Sequence, residues 1–120
     1  MKTVLVVDDY ASVRFYHMTL LRSAGYTPLA AASGKEAFAL LERQAVDLIM
    51  LDLVMPVMDG REVVRQLRAD PRRRTLPILV ISSEAEQPDL EDIKADPACR
   101  LMAKPILPQV LLQEIHRFLG

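Results

Sequence analysis

A single cysteine, Cys99, occurs among the 120 residues, which excludes an intrachain disulfide and any metal site built from several thiolates. Net charge is scarce too. At −1, the chain has no bulk attraction for nucleic acid or an anionic membrane surface. No apolar run exceeds strand length, so none can span a bilayer. Lys2-Thr3 followed by four apolar residues lacks the pattern of a signal peptide. Linkers, internal repeats and low-complexity tracts are also missing. One domain, residues 1–120, is expected, complete in itself and cytoplasmic. The 51% hydrophobic and 26% charged content is that of an ordinary globular chain with a real core.

The most informative stretch is residues 47–60. Leu48, Ile49, Met50 and Leu51 form an apolar run bounded by acids, the pattern of a strand buried on both faces. The run ends at Asp52, where such a strand emerges into a loop. Met55-Pro56 forbids further pairing, and Asp59-Gly60 with Glu62 predicts a turn into a capped helix. A lone acid at the end of a buried strand is where α/β proteins place chemistry.

Four more strands read in the same way. Val4-Leu5-Val6-Val7 ends in Asp8-Asp9, two adjacent acids whose repulsion is unfavourable unless a cation is present. Residues 27–32 form a small-residue strand. Residues 77–81 end in Ser82-Ser83, and Leu101-Met102-Ala103 ends at Lys104-Pro105. Helices are predicted between and after them. The first covers 12–24, with Tyr16, Leu20, Leu21 and Ala24 inward and His17 beside them as a packing residue. The others cover 33–43, 61–68, about 89–95, and about 108–118 with Val110, Leu111, Ile115 and Phe118 inward. Five strand–helix alternations with short connections call for a doubly wound parallel sheet with helices on both faces.

In such a sheet all strand C-termini share one edge, where ligands bind. That edge would gather Asp8, Asp9, Asp52, Ser82 and Lys104. Three carboxylates with one ammonium suit a small hard divalent cation, with Mg²⁺ the natural choice. With the acids neutralised, Lys104 can hold a phosphoryl oxygen, Asp52 can act as nucleophile and Ser82 can donate a hydroxyl. Simpler readings have Asp8 and Asp9 capping the first helix and Lys104 neutralising them. They do not explain why all these strand ends are polar together.

The chain resembles the receiver domains of two-component response regulators, specifically the stand-alone chemotaxis type. Val7-Asp8-Asp9 with Arg14, Leu21-Arg22-Ser23-Ala24-Gly25-Tyr26 and Ser33-Gly34-Lys35-Glu36-Ala37 carry the likeness. So do residues 47–60, Ile81-Ser82-Ser83 and Lys104-Pro105. The resemblance implies a flavodoxin-like (βα)5 fold with strand order 2-1-3-4-5. It implies that Asp52 accepts a phosphoryl group, that Asp9 binds Mg²⁺ directly and Asp8 mostly through water, and that the Val54 carbonyl supplies a further ligand. Ser82 and Lys104 would contact the phosphoryl oxygens, and Lys104–Pro105 would be cis. The implied donor is a sensor histidine kinase or histidine phosphotransfer protein. The implied target binds the face made by the fourth helix, fifth strand and fifth helix, and the chain would be a monomer or weak dimer.

Several positions depart from that pattern. Leu101 stands where the family often carries a switch aromatic, Pro97-Ala98 replaces the usual Gly-Ala, and Pro88 and Pro97 confine the fourth helix. The six acids of residues 84–96 and the set Arg61, Arg65, Arg68, Arg72, Arg73 and Arg74 read mainly as solvated faces, with steering of a partner as the alternative. No recognition motif or stacking aromatic accompanies the arginines, so direct nucleic-acid binding is not expected. A phosphatase of the haloacid-dehalogenase type wants Asp-x-Asp, which Asp52-Leu53-Val54 lacks. A flavin binder wants a phosphate loop after the first strand, where Asp8-Asp9 would repel phosphate. A degenerate receiver used as a constitutive binding module is disfavoured by the intact set of five residues.

Overall fold

The computed structural model describes residues 1–83 and 90–120. Its strands are β1 (Thr3–Val7), β2 (Thr27–Ala31), β3 (Leu48–Asp52), β4 (Ile78–Ser82) and β5 (Cys99–Ala103). The helices are α1 (Ala11–Ser23), α2 (Gly34–Leu41), α3 (Gly60–Ala69), α4 (Glu91–Ala95) and α5 (Pro108–Leu119). The strands pair in parallel in the order β2-β1-β3-β4-β5. This is the doubly wound (βα)5 sheet expected.

The apolar runs are continuous because both faces of the sheet are covered. Successive residues point to opposite faces, so Leu5, Val7, Ile49, Leu51, Ile78 and Val80 join one core with Ala37, Val63, Leu67 and Ile93 from α2, α3 and α4. Val4, Val6, Leu48, Met50, Leu79 and Ile81 join a second with Leu21, Leu111 and Ile115 from α1 and α5. Each large side chain so buried contributes about 1.5–3 kcal/mol. The register brings every strand end to one edge, with Val7 beside Leu51, Asp52 beside Ile81 and Ser82 beside Ala103.

The helix starts follow the expected cap chemistry. Ser33 accepts from the Glu36 N–H at 3.2 Å, and Glu36 reaches back to the Ala32 N–H at 3.1 Å. Asp59 accepts from the Glu62 N–H at 3.1 Å, fixing where α3 leaves the β3 loop.

Some expectations need correction. Strand β5 begins at Cys99, two residues before Leu101, because Cys99 and Arg100 pair with Ile78 and Leu79. It is an edge strand, which tolerates an outward arginine. Helix α2 ends at Leu41, short of residue 43. Helix α1 does not bury Tyr16 or Ala24; both are exposed, and Leu21 is its fully buried residue. Val110 likewise lies on the outer side of α5. Of the fourth helix, Glu91–Ala95 is observed. Asp89, Pro88, Glu84 and the first half of the acidic run lie outside the described residues.

Candidate functional site

Three carboxylates converge at the carboxyl edge of the sheet. Asp8 follows β1, Asp9 is next to it, and Asp52 ends β3. One oxygen from each lies within 4.8 Å of the others. Asp8 is 4% exposed and Asp52 6%, so water offsets little of their mutual repulsion. Asp9 Oδ1 is buried with no hydrogen-bond partner among the described residues. A buried acceptor left unsatisfied is unfavourable. The cluster therefore fits a hard cation bound through oxygen.

The surroundings fix these acids in place. The Asp8 side chain accepts from the Tyr10 N–H at 2.9 Å, and the Asp8 carbonyl accepts from Arg14 Nη1 at 2.8 Å. Tyr10 is the N-cap of α1 and has no side-chain cap, so neither Asp8 nor Asp9 occupies that position. Lys104 Nζ stands 3.3 Å from Asp52 Oδ1, which answers the question of its partner. The Lys104 N–H donates to the Ser82 carbonyl at 3.0 Å, tying the ends of β4 and β5 together. The Lys104–Pro105 peptide is cis, as expected.

Burial raises the Asp52 pKa above its ordinary value and the Asp8 charge raises it further, while Lys104 opposes both. His17 lies behind Asp8 and Asp52, lining a small void with them. Its pKa is lowered by burial, with Asp8 opposing and Lys104 adding to the shift.

An open cleft of about 460 Å³ exposes this edge, lined by Asp9, Tyr10, Asp52, Val54, Met55, Pro56, Ser82, Ser83 and Lys104. All five polar strand-end residues named from sequence are brought together, and Val54 stands on the cleft wall. Such a site can hold a divalent cation beside the Asp52 carboxylate, with the Lys104 ammonium and Ser82 lining the same cleft.

Residues 4–116 match the model of the response regulator receiver domain family. The chain belongs to that family. It is 32% identical to the chemotaxis protein CheY of Pseudomonas aeruginosa over 95% of this chain and 93% of that protein. It is 29% identical to the polar-differentiation response regulator DivK of Brucella ovis over 99% and 97%. Vibrio cholerae CheY4 superposes with a TM-score of 0.89 at 36% identity, covering 98% of both chains. The receiver domain of a P. aeruginosa sensor histidine kinase, solved with a magnesium ion coordinated in its active-site cleft, superposes with a TM-score of 0.87 at 32% identity, covering 99% and 98%.

As a receiver domain the chain is a component of two-component signalling. The sequence reading did not place several residues at the site: Tyr10 at the rim, Met55 and Pro56 on the wall, and His17, a packing residue as expected, directly behind the acids. Arg14 was noted as part of a motif, but its bond to the Asp8 carbonyl was not foreseen. Its place one helical turn beyond Tyr10 was the available signal. No described helix is long and apolar enough to cross a membrane.

Proposed function

We propose that this receiver takes a phosphoryl group onto Asp52 from the phosphohistidine of a sensor histidine kinase or histidine phosphotransfer protein. The observation that carries this reading is the setting of Asp52, a buried carboxylate clustered with two further acids and 3.3 Å from Lys104 Nζ. In the transfer, the phosphorus–nitrogen bond of the donor breaks and its electron pair returns to the imidazole. A bond forms between phosphorus and an Asp52 oxygen. Asp8, Asp9, Asp52 and the Val54 carbonyl would hold Mg²⁺. Bound there, the ion would neutralise the acids and draw charge from the phosphoryl oxygens.

Lys104 and Ser82 take the remaining phosphoryl oxygens, the lysine as a point charge and the serine as a hydroxyl donor. The chain is then a switch that catalyses only its own phosphorylation and dephosphorylation. Residues 1–120 act as one phosphoacceptor domain in the cytoplasm, a monomer or weak dimer that signals by altered protein binding or onward relay. The face of α4, β5 and α5 meets the target. With Leu101 in place of a switch aromatic, the signal passes mainly through Ser82 and the loop after it.

Phosphotransfer profiling tests this reading. Purified histidine kinases carrying phosphohistidine are mixed with the chain, and at least one should pass its label rapidly. Hydroxylamine should release that label, as it does from an acyl phosphate. A label stable to hydroxylamine would contradict the assignment.

A further inference from the structure

The β3–α3 loop carries one backbone conformation that its residue does not favour. Val57 has φ +69°, a region that β-branched residues almost never enter. The Met58 N–H donates to the Pro56 carbonyl at 2.8 Å. A bond between residues two apart, around a central residue with positive φ, is the rare and strained form of γ-turn. Val57 gains no burial from it, since its side chain is fully exposed.

The compensation lies at the neighbouring residue. Met58 seats against Gly34 at the start of α2. A Cβ built on Gly34 would fall 2.7 Å from Met58 Sδ and 2.9 Å from Val63 Cγ2. The glycine therefore leaves a notch that the thioether fills. The loop is held at its other end as well. Leu53 donates to the Ile81 carbonyl at 3.1 Å and accepts from the Gly60 N–H at 2.7 Å. Between these anchors lie Val54, Met55 and Pro56, which line the cleft beside Asp52. The turn thus adjoins the wall of the site, and Pro56 belongs to both.

We infer that the Pro56–Val57–Met58 turn is a strained clasp, closed by Met58 in the Gly34 notch, and that it positions the Val54–Pro56 wall of the metal cleft. Met58 and Val57 are positioning residues that touch neither the acids nor a phosphoryl group. The positioning half of the inference rests on the reading of the cleft as a Mg²⁺ site; the strain of the turn does not. With Met58 unseated, the packing that offsets the strain is gone, so Val57 relaxes toward negative φ and the wall shifts with it. Asparagine at position 57 tolerates positive φ, so it should keep the turn closed even without the methionine.

Two measurements on the full chain test this. In EDTA, Val57→Asn should raise the melting temperature by roughly 3–6 °C through relief of strain. An unchanged or lower value would overturn the strain. In calorimetric titrations with MgCl₂, Met58→Ala should weaken affinity ~10-fold, as loss of supporting contacts around a metal site does. Adding Val57→Asn to Met58→Ala should restore affinity to near that of the parent. A methionine that merely packs would not be rescued by a neighbour that touches neither partner. Parent-like affinity in Met58→Ala, or no rescue in the double variant, would overturn the positioning role. Gly34→Ala fills the notch by another route and replaces Met58→Ala if that variant fails to fold. A parent that binds no Mg²⁺ removes the metal reading and the positioning role, while the EDTA melting comparison still judges the strain.

Discussion

Lys104 and Asp52 are 52 positions apart in sequence, yet they meet at the carboxyl edge of the sheet with Nζ 3.3 Å from Oδ1. The pair is unequal. The lysine side chain is 35% exposed and the aspartate 6%, so solvent stabilises the cation far more than the anion. Burial and Asp8 outweigh the lysine in setting the state of Asp52. Lys104 therefore softens an unfavourable charge cluster without cancelling it.

Removing the lysine should then destabilise the metal-free protein. Lys104→Ala should lower unfolding free energy by ~1–2 kcal/mol in urea with EDTA present. That is less than the ~3–5 kcal/mol for breaking a fully buried pair, because the lysine is partly solvated. Unchanged stability would mean that the pair contributes nothing to the fold.

Removing an acid should do the reverse. Asp9 Oδ1 is buried without a hydrogen-bond partner among the described residues and faces two other carboxylates. Asp9→Ala should raise the melting temperature in EDTA and abolish the response to MgCl₂. The parent should gain ~2.7 kcal/mol at ~100 times its Kd. If Asp9→Ala were stabilised by Mg²⁺ as much as the parent, the metal would lie elsewhere.

The lifetime of the phosphorylated state should depend on Val54. This residue stands on the cleft wall and is 53% exposed. An apolar β-branched side chain cannot orient an attacking water by hydrogen bonding and hinders its approach. Val54→Asn should speed autodephosphorylation roughly tenfold, or ~1.4 kcal/mol in barrier. Glu84, two positions beyond Ser82 and outside the described residues, can orient a water but adds negative charge, so Glu84→Ala should change the rate less. Decay is followed after removal of the phosphodonor in excess Mg²⁺, and equal or slower decay in Val54→Asn would show that Val54 does not limit water access.

Cys99 should be inert in the native protein. Burial raises its pKa to about 11, with the Arg68 charge opposing. The unfolded thiol ionises near its ordinary value of 9.0. Its contribution to stability is therefore complete below that pH and is lost as pH rises through about 11. Alkylation by iodoacetamide at mildly alkaline pH should be at least ~10-fold slower in the folded chain than in urea. Cys99→Ser should remove this part of the alkaline decline.

The sheet and its polar edge were legible because both depend on local pattern. Continuous apolar runs mark strands covered on both faces, and each ends where a parallel sheet gathers its C-termini. Asp8, Asp9, Asp52, Ser82 and Lys104 could thus be placed together before any contact was known. What was not legible depends on packing. Cys99 and Arg100 join β5 only because Ile78 and Leu79 are there to pair with. Tyr16 has the spacing of a core residue yet is exposed, since Leu21 occupies the interior position on α1. The turn at Val57 contradicts that residue's own preference and follows from a notch at Gly34, far away in the chain.

Whether Asp52 accepts a phosphoryl group with the help of Mg²⁺ is tested most directly by one labelling experiment. The chain is incubated with acetyl phosphate and MgCl₂, and phosphorylation is followed by intact mass. The parent should gain one phosphoryl group, while Asp52→Asn, or the parent in EDTA, should gain none. Undiminished labelling of Asp52→Asn would contradict the account.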